Sequence, residues 1–232
     1  CTGARAALPP IPGLDPAFVL TNENVFDLTT QPESIAILGG GAIGCELAQA
    51  FSRLGTRVEL FEQAPRLLPL EIPLAGETLA QALTDSGVRL HLGEAVTAIA
   101  GPGTIHTQNG TVVCEKIMVA AGRRPNTENL NLAAAGVELD GRGFVVVDEK
   151  LRTAQSHIYA AGDCATTLQF THYADAQARA LIQNALFFPT AKVSGLAIPH
   201  CTYTSPEIAS IGPSLEVLEQ TGVAYDRYEF DL

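Results

Sequence analysis

The sequence predicts an α/β fold in which a parallel sheet, flanked by helices, is accompanied by a small antiparallel β-meander. Short apolar runs typical of buried strands alternate with stretches whose apolar residues recur at helical spacing. A glycine-rich turn follows one of these runs directly, as expected where a strand leads into a helix of an α/β unit. Three short strand-like segments separated by glycine turns come later, and this pattern indicates hairpins.

The elements can be placed in order along the chain. The predicted strands, all short and mostly apolar, are 34–38, 57–62, 88–91, 95–100, 103–107, 111–114, 116–119, 144–147, 157–160 and the beginning of a strand at 228–232. Helices are expected after the glycine turn, from Pro73 to Ser86, and from about His172 to Phe188. The apolar residues at helical spacing in the first helix are Ile43, Leu47, Phe51 and Leu54. Those in the last are Ala174, Ala178, Leu181, Ile182 and Ala185.

The turn after strand 34–38 has the spacing of a dinucleotide pyrophosphate site. Its first glycine permits a tight turn, the second lets backbone approach the phosphates, and the third allows close packing of helix on strand. The N-terminus of the following helix offers its unpaired N–H groups to an anion. The residues predicted to bind the nucleotide in this way are Gly39, Gly40, Gly41, Ala42, Ile43 and Gly44. This setting predicts a Rossmann-like domain that binds FAD or NAD(P).

Glu62 ends the second strand of this unit and bears on which nucleotide binds. A carboxylate there accepts both ribose hydroxyls of NAD, whereas the 2′-phosphate of NADP meets a like charge. Two unit charges about 4 Å apart at an effective dielectric near 20 repel by roughly 4 kcal/mol. Even half of that repulsion would lower the affinity more than tenfold. Gln63 follows, where an NADP site favours a cation. The sequence therefore predicts a preference for NADH over NADPH, and a solvated glutamate at a strand end is the alternative.

Composition and charge argue against several other functions. The formal net charge is −11 with dispersed acids, which argues against binding nucleic acid through phosphate contacts. No apolar stretch reaches the length of a transmembrane helix, so no membrane association is expected. The five cysteines, which form no CxxC or zinc spacing, are Cys1, Cys45, Cys114, Cys164 and Cys201. Free thiols suit a cytoplasmic location, and neither they nor the histidines predict a metal site.

Five motifs in one order resemble those of the flavin- and pyridine-nucleotide-dependent disulfide oxidoreductases. This family includes dihydrolipoamide dehydrogenase, glutathione reductase and mercuric reductase. The motifs are Thr2-Gly3-Ala4 with Pro12-Gly13, Gly39 to Glu46, Ala121 to Asn126, Gly162-Asp163, and Cys201 to Gly212. The resemblance extends over essentially all 232 residues, and Cys1 departs from it by replacing an alanine.

The resemblance implies a division of the chain into four segments. Residues 1–33 would trail from an FAD domain, 34–151 would form the NAD(H)-binding domain, 152–190 would return to the FAD domain, and 191–232 would begin a C-terminal dimerisation domain. The implied whole is a homodimeric flavoenzyme, of which this chain is the central part. The only methionine is Met118, which fits a chain taken from a longer protein.

The resemblance also implies cofactor contacts on the NAD side. It places Glu46 near the nicotinamide, Val96 on the adenine side and Gly122 in the loop that borders the nucleotide. The residues themselves allow other roles. Glu46 in the first helical turn also favours the helix dipole, and Val96 is equally compatible with core packing.

On the FAD side, Asp163 is implied to accept a hydrogen bond from the ribityl chain, and a helix N-terminus is implied to approach the flavin pyrimidine. The residues implied to contact FAD are Thr2, Gly3, Ala4, Gly162, Asp163, Gln169, Phe170, Thr171 and His172. Two alternatives remain from the residues alone. Asp163 could cap the following turn, and Thr171 could be a helix N-cap. Arg123 and Arg124 are either cofactor contacts or surface cations.

The implied activity is hydride transfer between nicotinamide and flavin, and onward to a small-molecule or protein disulfide or a metal acceptor. This would resemble dihydrolipoamide dehydrogenase or mercuric reductase. No catalytic residue is expected within the chain, because it contains neither a CxxxxC pair nor an HPxxxE segment. We therefore expect no disulfide reductase activity from this chain alone. The alternatives are a transhydrogenase- or NADH-oxidase-like flavoprotein without a dithiol centre, and a non-catalytic nucleotide-binding module.

Overall fold

The computed structural model describes residues 1–230, which contain twelve β-strands and four α-helices. The strands are β1 (Ala4–Ala6), β2 (Val19–Leu20), β3 (Ser34–Leu38), β4 (Arg57–Glu62), β5 (Arg89–Leu92), β6 (Val96–Ala100), β7 (Thr104–Thr107), β8 (Gly110–Val113), β9 (Lys116–Val119), β10 (Arg123–Pro125), β11 (Pro199–Thr202) and β12 (Ile208–Ile211). The helices are α1 (Ala42–Arg53), α2 (Pro73–Asp85), α3 (Thr171–Leu186) and α4 (Leu215–Thr221). None of these helices is long and apolar enough to cross a membrane.

A five-stranded parallel sheet in the order β2-β9-β3-β4-β5 organises the chain. Its central strand β3 is buried along its whole length. Ile35 and Ile37 of β3 pack with α1 and α2, whereas Ala36 and Leu38 pack with Ile105 of the meander. Both faces of the sheet are therefore covered, which is why the strand reads as a continuous apolar run. The predicted α/β fold is confirmed.

The predicted antiparallel meander is also present, as β6, β7 and β8. Ile105 of β7 lies opposite Ile99 on one side and Val112 on the other. The pairing of β6 with β7 shifts between Val96 and Ala98, which marks a β-bulge or similar irregularity.

Helix α1 packs on the sheet through its smallest residues. Cys45 and Ala48 are fully buried in the core cluster, which lets the helix axis approach the strands closely. Ile43 and Phe51 flank this contact and are partly buried, as the helical spacing predicts. Leu54 is 68% exposed, because the helix ends at Arg53 and Leu54 leaves the packed face.

Two predicted strands, at 144–147 and 157–160, are wrong as strands. Each contributes only an isolated bridge, Leu139 to Val145 and Arg152 to Tyr159. The side chains of Asp140 and Asp148 each accept two backbone N–H groups from the turns that follow them. Such local bonds compete with a regular ladder and shorten the pairing.

The predicted strand at 228–232 is not formed in its described part. Residues 228–230 have no regular secondary structure, and none of the described strands pairs with them. Residues 231 and 232 lie outside the described range.

The first 33 residues supply two short strands that the sequence did not predict. β1 pairs antiparallel with β10, with Ala4 opposite Pro125. β2 joins the parallel sheet at its edge, beside β9. Val19 and Leu20 come from the predicted segment 1–33, but they lie in the same sheet as β3, the first strand of the predicted NAD(H)-binding segment 34–151. The limits of the four segments remain a prediction.

Helix α3 forms close to its predicted range but buries a different face. Its buried residues are Tyr173, Gln177 and Asn184, whereas Ile182 of the predicted apolar face is 53% exposed. The buried amides have specific partners. Gln177 accepts the Gly162 N–H at 2.6 Å, and Asn184 donates to the backbone carbonyls of Lys150 and Ala191. The buried face of α3 therefore carries hydrogen-bonded amides, which a search for apolar periodicity does not detect.

Candidate functional site

The glycine turn lies at the edge of a cavity of about 840 Å³. Three neighbouring parallel strands end there, with Leu38 at the end of β3, Glu62 at the end of β4 and Val119 at the end of β9. Open α/β sheets bind ligands in the crevice outside the carboxyl ends of their strands. The volume lies within the range of roughly 300–1,000 Å³ that is usual for ligand pockets.

Two glycines of the turn are required by close packing. A Cβ on Gly39, which has a φ of +119°, would lie 2.5 Å from the carbonyl oxygen of Ala120. A Cβ on Gly44 would lie 1.9 Å from the carbonyl oxygen of Gly39. Neither position has room for a side chain, so helix α1 begins directly against strand β3.

Gly41 is different, because a Cβ built on it meets nothing within 4 Å. It is the N-cap residue of α1, and no side chain caps the helix. Gly41 and Ala42 both line the cavity. The first N–H groups of α1 are thus left for another acceptor, with open space beside them. This arrangement fits the pyrophosphate of a dinucleotide.

Glu62 connects the end of β4 to the glycine turn. Its carboxylate accepts the N–H groups of Gly40 and Ala64, both at 2.7 Å. These bonds hold the carboxylate on the cavity wall. A carboxylate has about four lone-pair positions, so acceptor capacity remains for ribose hydroxyls.

The structure brings six of the residues predicted for NAD to the cavity wall. They are Gly39, Gly41, Ala42, Glu62, Val96 and Gly122. Val96 lies at the irregularity in β6, and bulges commonly re-aim a side chain. Gly122 has a φ of +111° and open space beside it.

The other residues predicted for NAD lie behind this wall. Gly40 packs against Leu67 and Glu62, Ile43 packs on the core, and Gly44 supports Gly39. The Glu46 carboxylate accepts the N–H of Tyr203 at 2.9 Å. A contact between Glu46 and the nicotinamide remains a prediction.

Helix α1 also binds the segment that follows β11. Gln49 accepts the N–H of Ser205 at 2.8 Å and donates to its carbonyl at 2.9 Å, so one amide side chain pairs with both backbone groups. Gln49 is buried. No sequence signal marked this residue, since a glutamine in an amphipathic helix is usually exposed.

A second cluster of side chains, centred on the carboxylate of Glu71, also lines the cavity. Nε2 of His200 lies 2.6 Å from one oxygen of Glu71, and Ser210 donates its hydroxyl to the other at 2.5 Å. His200 and Ser210 lie opposite each other in the hairpin β11–β12. Phe170 stacks on His200 with ring centroids 5.4 Å apart. All four side chains line the cavity, and they come from three separate parts of the chain.

The residues predicted for FAD begin beside strand β10. Thr2 and Gly3 accept hydrogen bonds from the side chain and the backbone of Asn126. Ala4 accepts a bond from Nη2 of Arg123 at 3.1 Å. Asp163 pairs with the same nitrogen, also at 3.1 Å. Arg123 thus holds the first segment and the Gly162-Asp163 turn together.

One buried donor beside Asp163 lacks a partner. Nε of Arg123 is buried and makes no hydrogen bond within the described residues. An unsatisfied buried polar group costs about 1–3 kcal/mol, so this position suits an acceptor-rich ligand. Together with the left-handed turn at Gly162, which has a φ of +78°, these residues fit the predicted FAD contact.

The remaining residues predicted for FAD surround the start of α3. Gln169 donates to the carbonyl of Asp163, and Phe170 stacks on His172 with centroids 5.5 Å apart. The helix begins at Thr171, and Phe170 is its N-cap without a side-chain bond. The alternative in which Thr171 caps the helix is therefore wrong. The uncapped N-terminus remains available to an anion.

The described residues include no group of three or more His, Cys, Asp or Glu side chains placed to hold a metal ion. All five cysteines are free thiols. Cys45 is the one closest to the nucleotide turn, and its Sγ donates to the Gly40 carbonyl at 3.4 Å. Burial, reinforced by the charges of Glu62 and Glu46, raises the pKa of the Cys45 thiol to about 12.

We predict that Cys45 does not react with thiol reagents in the folded chain at pH 8. With its pKa near 12, only about one thiol in ten thousand is ionised there, and the thiolate is the nucleophile. Exposed Cys1 is the internal control and should be modified rapidly. Peptide mapping after labelling with iodoacetamide tests this. Modification of Cys45 at the rate of Cys1 without unfolding would contradict it.

The comparison with known protein families decides the classification. Residues 1–178 match the sequence model of the pyridine nucleotide-disulphide oxidoreductases. The chain belongs to this family. The resemblance derived from the five motifs is therefore confirmed.

Individual members of the family are similar along almost the whole chain. Mercuric reductase from Bacillus cereus is 36% identical over 228 residues, which cover 95% of this chain and 36% of that protein. Dihydrolipoyl dehydrogenase from Chlamydia muridarum is 35% identical over 208 residues, covering 88% of this chain and 44% of the relative. The HOCl-induced flavoprotein disulfide reductase RclA from Escherichia coli, solved as a Cu(II) complex, superposes with a TM-score of 0.87 at 30% identity, covering 96% of this chain and 52% of RclA. The chain spans less than half the length of these two curated relatives.

Proposed function

We propose that this chain is the NADH-binding centre of an FAD-dependent oxidoreductase that moves hydride between nicotinamide and flavin. The observation that carries the proposal is the uncapped N-terminus of α1, which opens onto the cavity beside Gly41 while Glu62 lies at the neighbouring strand end. Family membership supports the same conclusion. A flavoprotein of this kind needs both a phosphate cradle and a ribose acceptor.

The chain's own residues bind and orient the cofactors, which supply the redox chemistry when bound. Gly41 and Ala42 present backbone N–H groups to the pyrophosphate, and Glu62 accepts the ribose hydroxyls. Asp163, held by Arg123, is the proposed contact to FAD. Holding both cofactors in fixed orientation is how such a protein contributes to the rate.

We propose a disulfide or a metal ion as the final acceptor, acting in a cytoplasmic homodimer. The similarity to mercuric reductase and to dihydrolipoyl dehydrogenase supports these two acceptor classes. The chain's sequence has no CxxxxC pair, and three of its five cysteines are buried. Acceptor chemistry is therefore assigned to parts of the enzyme other than this chain.

The test uses a flavoprotein that contains this chain, mixed anaerobically with NADH. Bleaching of the flavin absorbance is expected, followed by turnover with lipoamide, glutathione disulfide or Hg²⁺. Turnover with oxygen alone would overturn the acceptor assignment in favour of an NADH-oxidase-like protein. A colourless protein would overturn the flavoenzyme proposal itself. The 232-residue chain alone, with added FAD, is expected to give no steady turnover of these acceptors.

Replacing Glu62 with alanine and Gln63 with arginine should narrow or reverse the preference for NADH. The change removes the Glu62 carboxylate, which repels the 2′-phosphate of NADPH, and adds a cation next to it. The ratio of NADPH affinity to NADH affinity should therefore rise more than tenfold. Nucleotide fluorescence titration measures both dissociation constants. The matched control is Glu77→Ala with Gln108→Arg, the same charge change at exposed positions outside the cavity wall. A ratio unchanged from the control would refute the role of Glu62.

A further inference from the structure

Glu94 places a second carboxylate on the cavity wall beside Glu62. Strands β4 and β5 are parallel neighbours, with Glu62 opposite Leu92. Glu94 follows shortly after, and its N–H donates to the carbonyl of Glu62 at 3.1 Å. The two acidic residues therefore come from adjacent strand ends and face one cavity.

The Glu94 side chain is fixed in this place. Thr107 donates its hydroxyl to one carboxylate oxygen, and Nδ1 of His91 lies 3.3 Å from the other. The side chain is only 11% exposed. The hydrogen bond from Thr107 is the main reason why the pKa of Glu94 lies below its ordinary value, while burial opposes the shift. Glu94 is thus a fixed anion at neutral pH.

The basic groups of strands β4 and β5 all pair with a second acid, the buried Glu59. Nε2 of His91 lies 2.9 Å from the buried carboxylate of Glu59, and the ring stacks on Phe61 with centroids 4.2 Å apart. Arg57 and Arg89 also pair with Glu59. Within residues 1–230, no lysine or arginine lines the cavity, whereas three glutamates do. The wall therefore presents excess negative charge to a ligand.

We propose that Glu94 is a second selectivity residue of the site, which disfavours nucleotides that carry a 2′-phosphate. The inference rests on the NADH site proposed above. A phosphate monoester carries about −1.5 to −2 charges at pH 7. Placed at the ribose end, beside Glu62, it enters the field of both carboxylates, and partly buried charges are weakly screened. NADH lacks this phosphate, so the Glu94 carboxylate has little effect on the affinity for NADH.

The direct test is Glu94→Gln, which keeps the shape of the side chain and removes its charge. Titration of the 232-residue chain should show that NADPH binds about five- to tenfold more tightly than to wild type, while the NADH dissociation constant stays within about twofold. The difference in NADPH affinity between Glu94→Gln and the wild type should become smaller as the salt concentration rises. Glu77→Gln, an exposed acid on α2 outside the cavity wall, is the charge-matched control.

A second variant separates the charge of Glu94 from its fixed position. Thr107→Val keeps the carboxylate but removes the hydrogen bond that holds it on the cavity wall. The carboxylate is then freer to turn away from the phosphate, so we expect a gain in NADPH affinity that is smaller than in Glu94→Gln. An equal change in the affinities for both nucleotides, or NADPH binding no tighter than in Glu77→Gln, would overturn the selectivity role while leaving the NADH site intact. If the wild-type chain bound neither nucleotide, the proposed site itself would fail, and this inference with it.

Discussion

Replacing Gly44 with alanine is expected to abolish saturable NADH binding and to lower the free energy of unfolding by about 3 kcal/mol, since overpacking of a tight interface is costly. The added methyl would lie 1.9 Å from the carbonyl oxygen of Gly39, so α1 must move away from β3. That movement disturbs the packing of Cys45 and Ala48, both fully buried. It also displaces the helix N-terminus from the position that suits a phosphate.

Gly41→Ala is the matched control, because it adds the same methyl group three residues earlier. Gly41 has a φ of −78°, which alanine adopts freely, and nothing lies within 4 Å of the added carbon. We expect the free energy of unfolding to stay within about 0.5 kcal/mol of the wild-type value, as for a substitution at an unconstrained surface position. NADH affinity should still fall at least about tenfold, because backbone can no longer approach the phosphates. Urea denaturation and nucleotide titration of both variants measure these effects. Wild-type stability of Gly44→Ala, or wild-type affinity of Gly41→Ala, would contradict the roles assigned to these two glycines.

Replacing Asp163 with alanine should sharply reduce flavin retention in a flavoprotein that contains this chain. A hydrogen bond to a charged group contributes roughly 1.5–3 kcal/mol, which corresponds to at least about tenfold in affinity. The change also leaves the Arg123 guanidinium, already with one unpaired buried nitrogen, without its carboxylate. Flavin absorbance per protein after dialysis is the measurement.

Asp175→Ala is the control for Asp163. Asp175 also pairs with an arginine, Arg179, at 2.8 Å, but on the exposed surface of α3. Flavin content should remain unchanged in this variant. If Asp163→Ala retained as much flavin as Asp175→Ala, Asp163 would be a turn residue rather than a cofactor contact.

The sheet and the glycine turn could be predicted because their signals are local. Strand β3 is apolar at nearly every position as both of its faces are covered, and the glycine spacing reflects packing within a few residues. Strands β1 and β2 were missed because they have three and two residues. Their formation depends on partners far along the chain, β10 and β9.

The site was predicted where a motif carries the chemistry and missed where distant segments meet. Glu71 precedes α2, whereas His200 and Ser210 lie in the hairpin β11–β12, and no spacing in the sequence links them. Gln177 supports the Gly162 turn through a buried amide that a helical pattern does not distinguish from a surface residue. Glu94 follows a glycine after a short strand, so the sequence indicates only a turn there.

Calorimetric titration of the wild-type 232-residue chain with NADH and with NADPH tests directly whether the cavity beside Gly41 is an NADH site. We expect saturable binding of a single NADH per chain, with a lower dissociation constant than that of NADPH. Absence of saturable NADH binding would contradict the assignment of the cavity beside Gly41 as a dinucleotide site. Equal or tighter binding of NADPH would contradict the roles given to the carboxylates of Glu62 and Glu94.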